Sequence, residues 1–217
     1  MRTLRVMFGR AALLGVLAFR ITHCPPCPDI HSVPVKLFND AAVSKTVLNT
    51  AADDAAWILK SACVKVVWIP CPPVSRSNMS PCAAPVGALE LHMLPAPLTN
   101  DFHGDTLGIA MPYLDAGDRA AVFVSRVRET AAGNPEIAGV EDIMGCVIAH
   151  EIGHLLLHSN THVSEGIMRA NFRQIDLIKG FQRRLVFTPG ERETIRRNLR
   201  DRGTVPNSIS HRYQLDP

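Results

Sequence analysis

The segment from His150 to His154 reads HEIGH and lies inside an apolar stretch with helical spacing. Residues four apart lie on the same face of a helix, so His150 and His154 can bind one metal ion together. Glu151 then lies beside the position of a metal-activated water, where its carboxylate can act as a general base. Apolar residues surround the motif on nearly all sides of the predicted helix: Ile143, Met144, Val147, Ile148, Ile152 and Leu155. A helix that is apolar all round is buried, and burying two histidines and an acid is costly unless something binds them. The pattern therefore predicts a metal site in the core of a globular domain.

A catalytic zinc site needs a third protein ligand and one open position, and the downstream sequence offers His158, His162 and Glu165. Ligands at four-residue intervals on one helix are about 6 Å apart in rise, so His158 is poorly placed to join the first two. The polar residues 159–161 are expected to end the helix and let the chain return toward the metal. We favour His162 as the third ligand, with His158 and Glu165 as the alternatives.

The motif, the further histidine and a following methionine together resemble the metzincin metallopeptidases, whose signature is HExxHxxGxxH followed by a Met-turn. This resemblance implies that His150, His154 and His162 bind a catalytic Zn²⁺ and that Glu151 is the general base. It also implies that Met168, in the segment SEGIM, is the Met-turn residue beneath the site.

The chain departs from the metzincin signature in the spacing of its third histidine. Leu157 stands at the glycine position of the signature and Asn160 stands at its third-histidine position, so two extra residues precede His162. A helix that runs slightly longer before it turns would accommodate this difference, and Asn160 is a suitable residue for a left-handed helix cap.

The resemblance implies a zinc-dependent endopeptidase in which a metal-activated water attacks the peptide bond and Glu151 transfers the proton. The expected partner is a peptide or protein substrate, which would pair with the exposed strand Leu107–Met111. Two alternatives remain, namely a zinc-dependent hydrolase of non-peptide amides and an exported non-catalytic binding protein on a metallopeptidase fold. The formal net charge of +3 gives no reason to expect a nucleic-acid partner.

Hydrophobic periodicity predicts an α+β fold, and the resemblance implies a metzincin-like one. The fold would have a twisted mixed sheet of about four to five strands, a packing helix, an active-site helix and a C-terminal helix. A capping box from Thr188 to Glu191 opens the last helix, with Pro189 at its first position. We predict a catalytic domain at 39–203 and a C-terminal tail at 204–217. The predicted elements are helices at 40–62, 139–157 and from 188 onward, and strands at 64–69, 89–94, 107–111 and 120–127.

The N-terminal sequence predicts export. Three arginines precede the uncharged apolar run Ala11–Phe19, which has the length of a signal-peptide core and is too short to span a bilayer. We therefore predict a signal peptide at 1–23, a leader linker at 24–38 and no stable membrane span in the mature chain. The expected location is secreted, periplasmic or cell-envelope.

Six cysteines agree with an oxidising compartment. Cys71 and Cys82 bracket a segment rich in proline and serine, so we predict a disulfide between them. Cys63 and Cys146 are predicted to be buried free thiols. A further hypothesis is that Cys27, in the segment CPPCPD, provides a thiolate that keeps the zinc enzyme latent.

Overall fold

The computed structural model describes residues 27, 29–73, 82–99, 103, 105–112 and 117–203. The predicted signal peptide at 1–23 and the predicted tail at 204–217 lie outside these residues and stay predictions. Within the described residues, no helix is long and apolar enough to cross a membrane.

One mixed five-stranded sheet organises these residues. Its strands are β1 (His31–Phe38), β2 (Val64–Cys71), β3 (Leu89–Leu94), β4 (Gly108–Met111) and β5 (Arg119–Phe123). Their order across the sheet is β2-β1-β3-β5-β4. The four strands β2, β1, β3 and β5 are parallel, whereas β4 runs antiparallel to β5 at the edge of the sheet. The predicted mixed sheet of about four to five strands therefore has five strands.

Strand β1 corrects the predicted leader linker at 24–38, because residues 31–38 pair with β2 on one side and β3 on the other. Val33, Val35 and Leu37 are buried at alternate positions, which is the period of a half-buried strand. Pro34 obscures this pattern in the sequence, since proline is unusual in a strand interior. The structure accommodates it because pairing with β3 begins only at Val35.

The helices are α1 (Lys45–Lys60), α2 (Val124–Ala132), α3 (Val140–Leu157), α4 (Gln174–Phe181) and α5 (Pro189–Gly203). Helices α1 and α3 pack against each other and share one hydrophobic core with the sheet. The predicted packing, active-site and C-terminal helices correspond to α1, α3 and α5, and α2 and α4 are additional. At the start of α5, the backbone N–H of Thr188 donates to Glu191 Oε2 at 2.7 Å, which confirms the predicted capping box.

Helix α2 corrects the strand that was predicted at 120–127. Strand β5 ends at Phe123 and the helix begins directly at Val124. The valines of this stretch favour a strand, but Val124, Val127 and Ala131 are buried at helical spacing. Packing of this face against the core therefore decides the outcome.

The disulfides agree with the sequence analysis at one site and contradict it at another. The predicted Cys71–Cys82 bond is present, and Cys146 is a buried free thiol as expected. Cys63 is not a free thiol, because it is bonded to Cys27. This bond also contradicts the hypothesis of an inhibitory Cys27 thiolate, since the sulfur is already in covalent use.

Candidate metal centre

Helix α3 brings the first two histidines of the motif together in the core. Every residue of the helix from Ile143 to Leu156 is buried. His150 and His154 are one turn apart on the same face, and their Nε2 atoms lie 3.0 Å apart. His150 is 7% exposed and His154 is 4% exposed, so both imidazoles lie in the protein interior.

The chain turns directly after α3 and returns a third imidazole to the first two. His158 ends the helix in the left-handed conformation with φ 49°, and the Thr161 N–H then donates to Ser159 Oγ at 3.1 Å. This turn places His162 Nε2 3.2 Å from His154 Nε2. The helix thus ends at Leu157, which corrects the expectation of a longer helix capped by Asn160.

One ligand atom from each of His150, His154 and His162 lies within 4.8 Å of the others. The three histidines therefore form a group that can hold a metal ion. His162 is exposed, whereas the other two are buried, so the group lies at the boundary between core and solvent.

Backbone carbonyls fix the orientation of the two buried rings. His150 Nδ1 lies 2.7 Å from the Ile167 carbonyl oxygen, and His154 Nδ1 lies 2.7 Å from that of Ser159. A carbonyl oxygen only accepts, so each Nδ1 carries the proton and donates it. In a neutral imidazole this leaves a lone pair on Nε2. Lone pairs that face one another at 3.0 Å repel unless a cation lies between them, so the donor set fits a metal ion.

The histidines are held in the neutral form that binds metals. Burial, together with the neighbouring His154, lowers the pKa of His150 to about 3. Burial also lowers the pKa of His154 and of His162. At neutral pH the three rings therefore need no deprotonation before they bind a cation.

Glu151 is buried beside this group, against the edge strand β4. Its side chain is packed so closely on Gly108 that a Cβ added there would lie 2.8 Å from Glu151 Oε1. The same Cβ would lie 2.7 Å from the carbonyl oxygen of Ala121 on β5. Burial raises the pKa of Glu151 to about 8, which is far above that of an exposed carboxyl. Only glycine at position 108 leaves space for the acid in this position.

The two alternative third ligands lie elsewhere. His158 Nε2 contacts the guanidinium of Arg202 on α5 and lies 4.0 Å from Asp118 Oδ2, so it joins the helix end to the C-terminal helix. Glu165 is exposed. Neither residue belongs to a metal-capable group within the described part of the chain.

Met168 lies fully buried directly after Ile167, whose carbonyl orients His150. A Cβ added at Gly153 would lie 2.5 Å from Met168 Sδ and 2.8 Å from Phe187 Cε1. The glycine of HEIGH thus lets the methionine pack directly against α3, one residue before His154. The assignment of Met168 as a Met-turn residue stays a prediction.

A cavity of about 660 Å³ opens beside the three histidines and Glu151. One wall is formed by residues 105–110, which include most of β4, and another by residues 169–172 after Met168. Arg126 on α2 holds the segment that leads into β4, because its Nη1 donates to the carbonyls of His103 at 2.5 Å and Thr106 at 2.8 Å.

Three residues of this site were not identified from the sequence as functional. Gly108 receives the side chain of Glu151, Phe172 meets the His150 ring edge-on at a centroid distance of 5.7 Å, and Arg169 lines the cavity. A glycine inside a predicted strand often marks a position where another group approaches the backbone closely, so the sequence pattern could have identified Gly108. No local sequence pattern identifies Arg169 or Phe172, because their positions depend on the path of a loop.

Comparisons with known proteins give distant structural likenesses but no match by sequence. No protein-family model matches the chain, and no curated protein matches it. The structure is similar to the crystal structure of archaemetzincin from Methanopyrus kandleri, with a TM-score of 0.47 and 17% identity. The alignment covers 81% of this chain and 99% of that one. A likeness of this size shows neither the family nor the function of this chain.

Proposed function

We propose that this protein is a zinc-dependent endopeptidase that hydrolyses peptide bonds. The observation that carries the proposal is the convergence of three imidazole Nε2 atoms, two of them from rings whose Nδ1 atoms donate to carbonyls. Three neutral nitrogen ligands and an open fourth position are typical of catalytic zinc.

Zinc held by His150, His154 and His162 would supply Lewis acidity, which activates a water molecule and polarises the substrate carbonyl. Glu151 would accept a proton from the attacking water as the new carbon–oxygen bond forms. It would then deliver that proton to the amine nitrogen as the carbon–nitrogen bond breaks. The buried position of Glu151, in the same cavity as the three histidines, supports this role.

The edge strand that lines the cavity favours a peptide substrate over a small amide. Strand β4 lines the cavity and, among the described residues, pairs with β5 on one side only. An extended peptide can add to such an edge through main-chain hydrogen bonds. Glu151 also argues against a non-catalytic binding protein, because binding alone gives no reason to bury an acid beside the metal group.

Substituting Glu151→Gln in the full chain tests the proposal. We expect the variant to retain zinc, measured as metal per chain, and to lose about 10²–10⁴-fold in the rate of casein cleavage. The matched control is Glu165→Gln, at an exposed glutamate outside the cavity, which should keep both zinc and activity. Full casein cleavage by Glu151→Gln, or a wild-type protein that binds no zinc, would end the proposal. Cleavage of small amides but not casein would instead support the non-peptide alternative.

We also infer that the protein is exported. Two disulfides are typical of proteins that mature in an oxidising compartment. N-terminal sequencing of the protein recovered from outside the cytoplasm checks the boundary predicted after residue 23.

A further inference from the structure

Arg169 is the basic side chain of the cavity. It follows the buried Met168, and among the described residues that line the cavity it is the only lysine or arginine. Its side chain is 21% exposed, so it is accessible to a ligand while remaining mostly packed.

Two contacts outside the cavity lining hold the guanidinium of Arg169 in place. Its Nε lies 3.5 Å from Asp176 Oδ2, and its Nη2 donates to the Ser164 carbonyl. Its Nη1 forms no hydrogen bond with any described residue. An arginine held in this way loses little further conformational freedom when it binds a ligand.

Asp176 does not neutralise Arg169 fully, because it is shared. The carboxylate is 2% exposed and also lies 3.2 Å from Nε of Arg173. Two guanidinium groups and one carboxylate leave one positive charge. Arg173 is 58% exposed and does not line the cavity, so the positive charge at the cavity belongs to Arg169.

We propose that Arg169 binds a carboxylate of the substrate and so gives the enzyme a preference for peptides that present a carboxylate to the cavity. This inference rests on the proposed peptidase function and specifies its substrate class. A guanidinium is planar and forms paired hydrogen bonds with a carboxylate, which makes it more selective than a lysine ammonium. The carboxylate comes either from the C-terminus of a peptide or from an aspartate or glutamate side chain.

One casein-derived peptide that contains acidic residues provides the test, prepared in three forms. The first is amidated at its C-terminus and has glutamine or asparagine in place of every acidic residue. The second form is the first with a free C-terminal carboxylate instead of the amide. The third form is the first with its acidic side chains restored. We expect one carboxylate form to have a kcat/KM about 10–100-fold above that of the neutral form, as expected for a charged hydrogen-bonded pair.

Arg169→Gln should bring this ratio close to one. Arg173→Gln is the matched control, because it also removes one partner of Asp176 but does not touch the cavity, and it should keep the ratio. Arg169→Lys should give an intermediate ratio, and thermal unfolding of each variant checks that it is folded. A purely structural role for Arg169 would lower stability without changing the ratio.

An unchanged ratio in Arg169→Gln, or equal cleavage of all three forms by the wild type, would overturn the inference and leave the peptidase proposal intact. If the wild type cleaves no peptide, calorimetric binding of the same three forms separates the two ideas. Tighter binding of a carboxylate form that Arg169→Gln abolishes would uphold the role of Arg169 while the peptidase proposal fails. Equal binding of all three forms would reject both.

Discussion

At the level of single residues, the direction of each imidazole is set by the hydrogen bond at its Nδ1. Ile167 and Ser159 provide the acceptors for His150 and His154, and both come from the loop that follows α3. The loop that carries the third histidine thus also orients the first two. We therefore expect the zinc affinity of the three histidines to depend on the conformation of this loop.

Substituting His162→Ala should remove the third imidazole and leave the fold in place, because this residue is exposed. We expect zinc affinity to fall by more than the roughly 10–100-fold that losing an outer-shell partner costs. Competition with a chromogenic chelator measures this affinity. His158→Ala is the control and should retain zinc, since His158 contacts Arg202 instead. The opposite result would reassign the third ligand.

Gly108→Ala should displace Glu151, because the new methyl group would lie 2.8 Å from Glu151 Oε1. We expect at least a roughly tenfold loss of peptidase activity with zinc retained, and a loss of about 1–3 kcal/mol in the free energy of unfolding from overpacking. Gly190→Ala is the matched control, since nothing lies within 4 Å of its added Cβ. Wild-type activity in Gly108→Ala would show that the position of Glu151 does not depend on this contact.

At the level of elements, α4 is connected to the cavity wall through Asp176 in its first turn. Burial alone would raise the pKa of Asp176, but hydrogen bonds from the backbone and side chain of Arg173 and the charges of Arg173 and Arg169 outweigh it and lower the pKa. The ionised carboxylate therefore anchors the start of the helix to the segment that follows Met168.

This anchoring should depend on pH. A carboxyl whose pKa is lower in the folded state stabilises the fold above its unfolded value of 3.8, and the contribution is lost as the pH falls through the folded pKa. Asp176→Asn should lower the free energy of unfolding by about 1.5–3 kcal/mol at pH 7. The difference from the wild type should shrink below pH 3.8 in urea unfolding series.

Glu193→Gln is the control for Asp176→Asn, because Glu193 forms ion pairs with arginines on the surface of α5. Its effect at pH 7 should be clearly smaller. A difference for Asp176→Asn that persists unchanged to pH 2 would contradict the assignment of the stabilisation to the ionised carboxylate.

At the level of the whole molecule, two disulfides join segments that the sheet also brings together. Cys27–Cys63 connects the residues before β1 with the residue before β2, and these two strands are parallel neighbours. Cys71–Cys82 connects the end of β2 with the segment that leads to β3. Both bonds therefore restrict the unfolded chain in ways that favour the native strand order.

The longer disulfide loop should contribute more to stability. The sequence separations are 36 and 11, which correspond to about 4 and about 3 kcal/mol of lost chain entropy in the unfolded state. Cys27→Ala with Cys63→Ala should therefore destabilise the protein more than Cys71→Ala with Cys82→Ala in denaturant titrations. The reverse order would mean that native contacts, and not loop length, dominate.

The sequence by itself determined the features whose signals are local. Apolar periodicity located α3, the HEIGH motif gave two histidines and Glu151 on it, and the Thr188–Glu191 capping box located the start of α5. Each signal depends on neighbours within four residues, because helix faces and caps are set by that spacing. The choice of His162 came from polar residues that end a helix, which is also local information.

Only the tertiary structure decided the features that depend on distant partners. His31–Phe38 became a strand between β2 and β3 rather than a linker, and Val124–Ala132 became a helix because its buried face packs against the core. The disulfide between Cys27 and Cys63, the close approach of Glu151 to Gly108 and the position of Arg169 in the cavity wall also depend on distant partners. Strand pairing, disulfide choice and side-chain approach join residues far apart in the chain, so no short segment contains the information that fixes them.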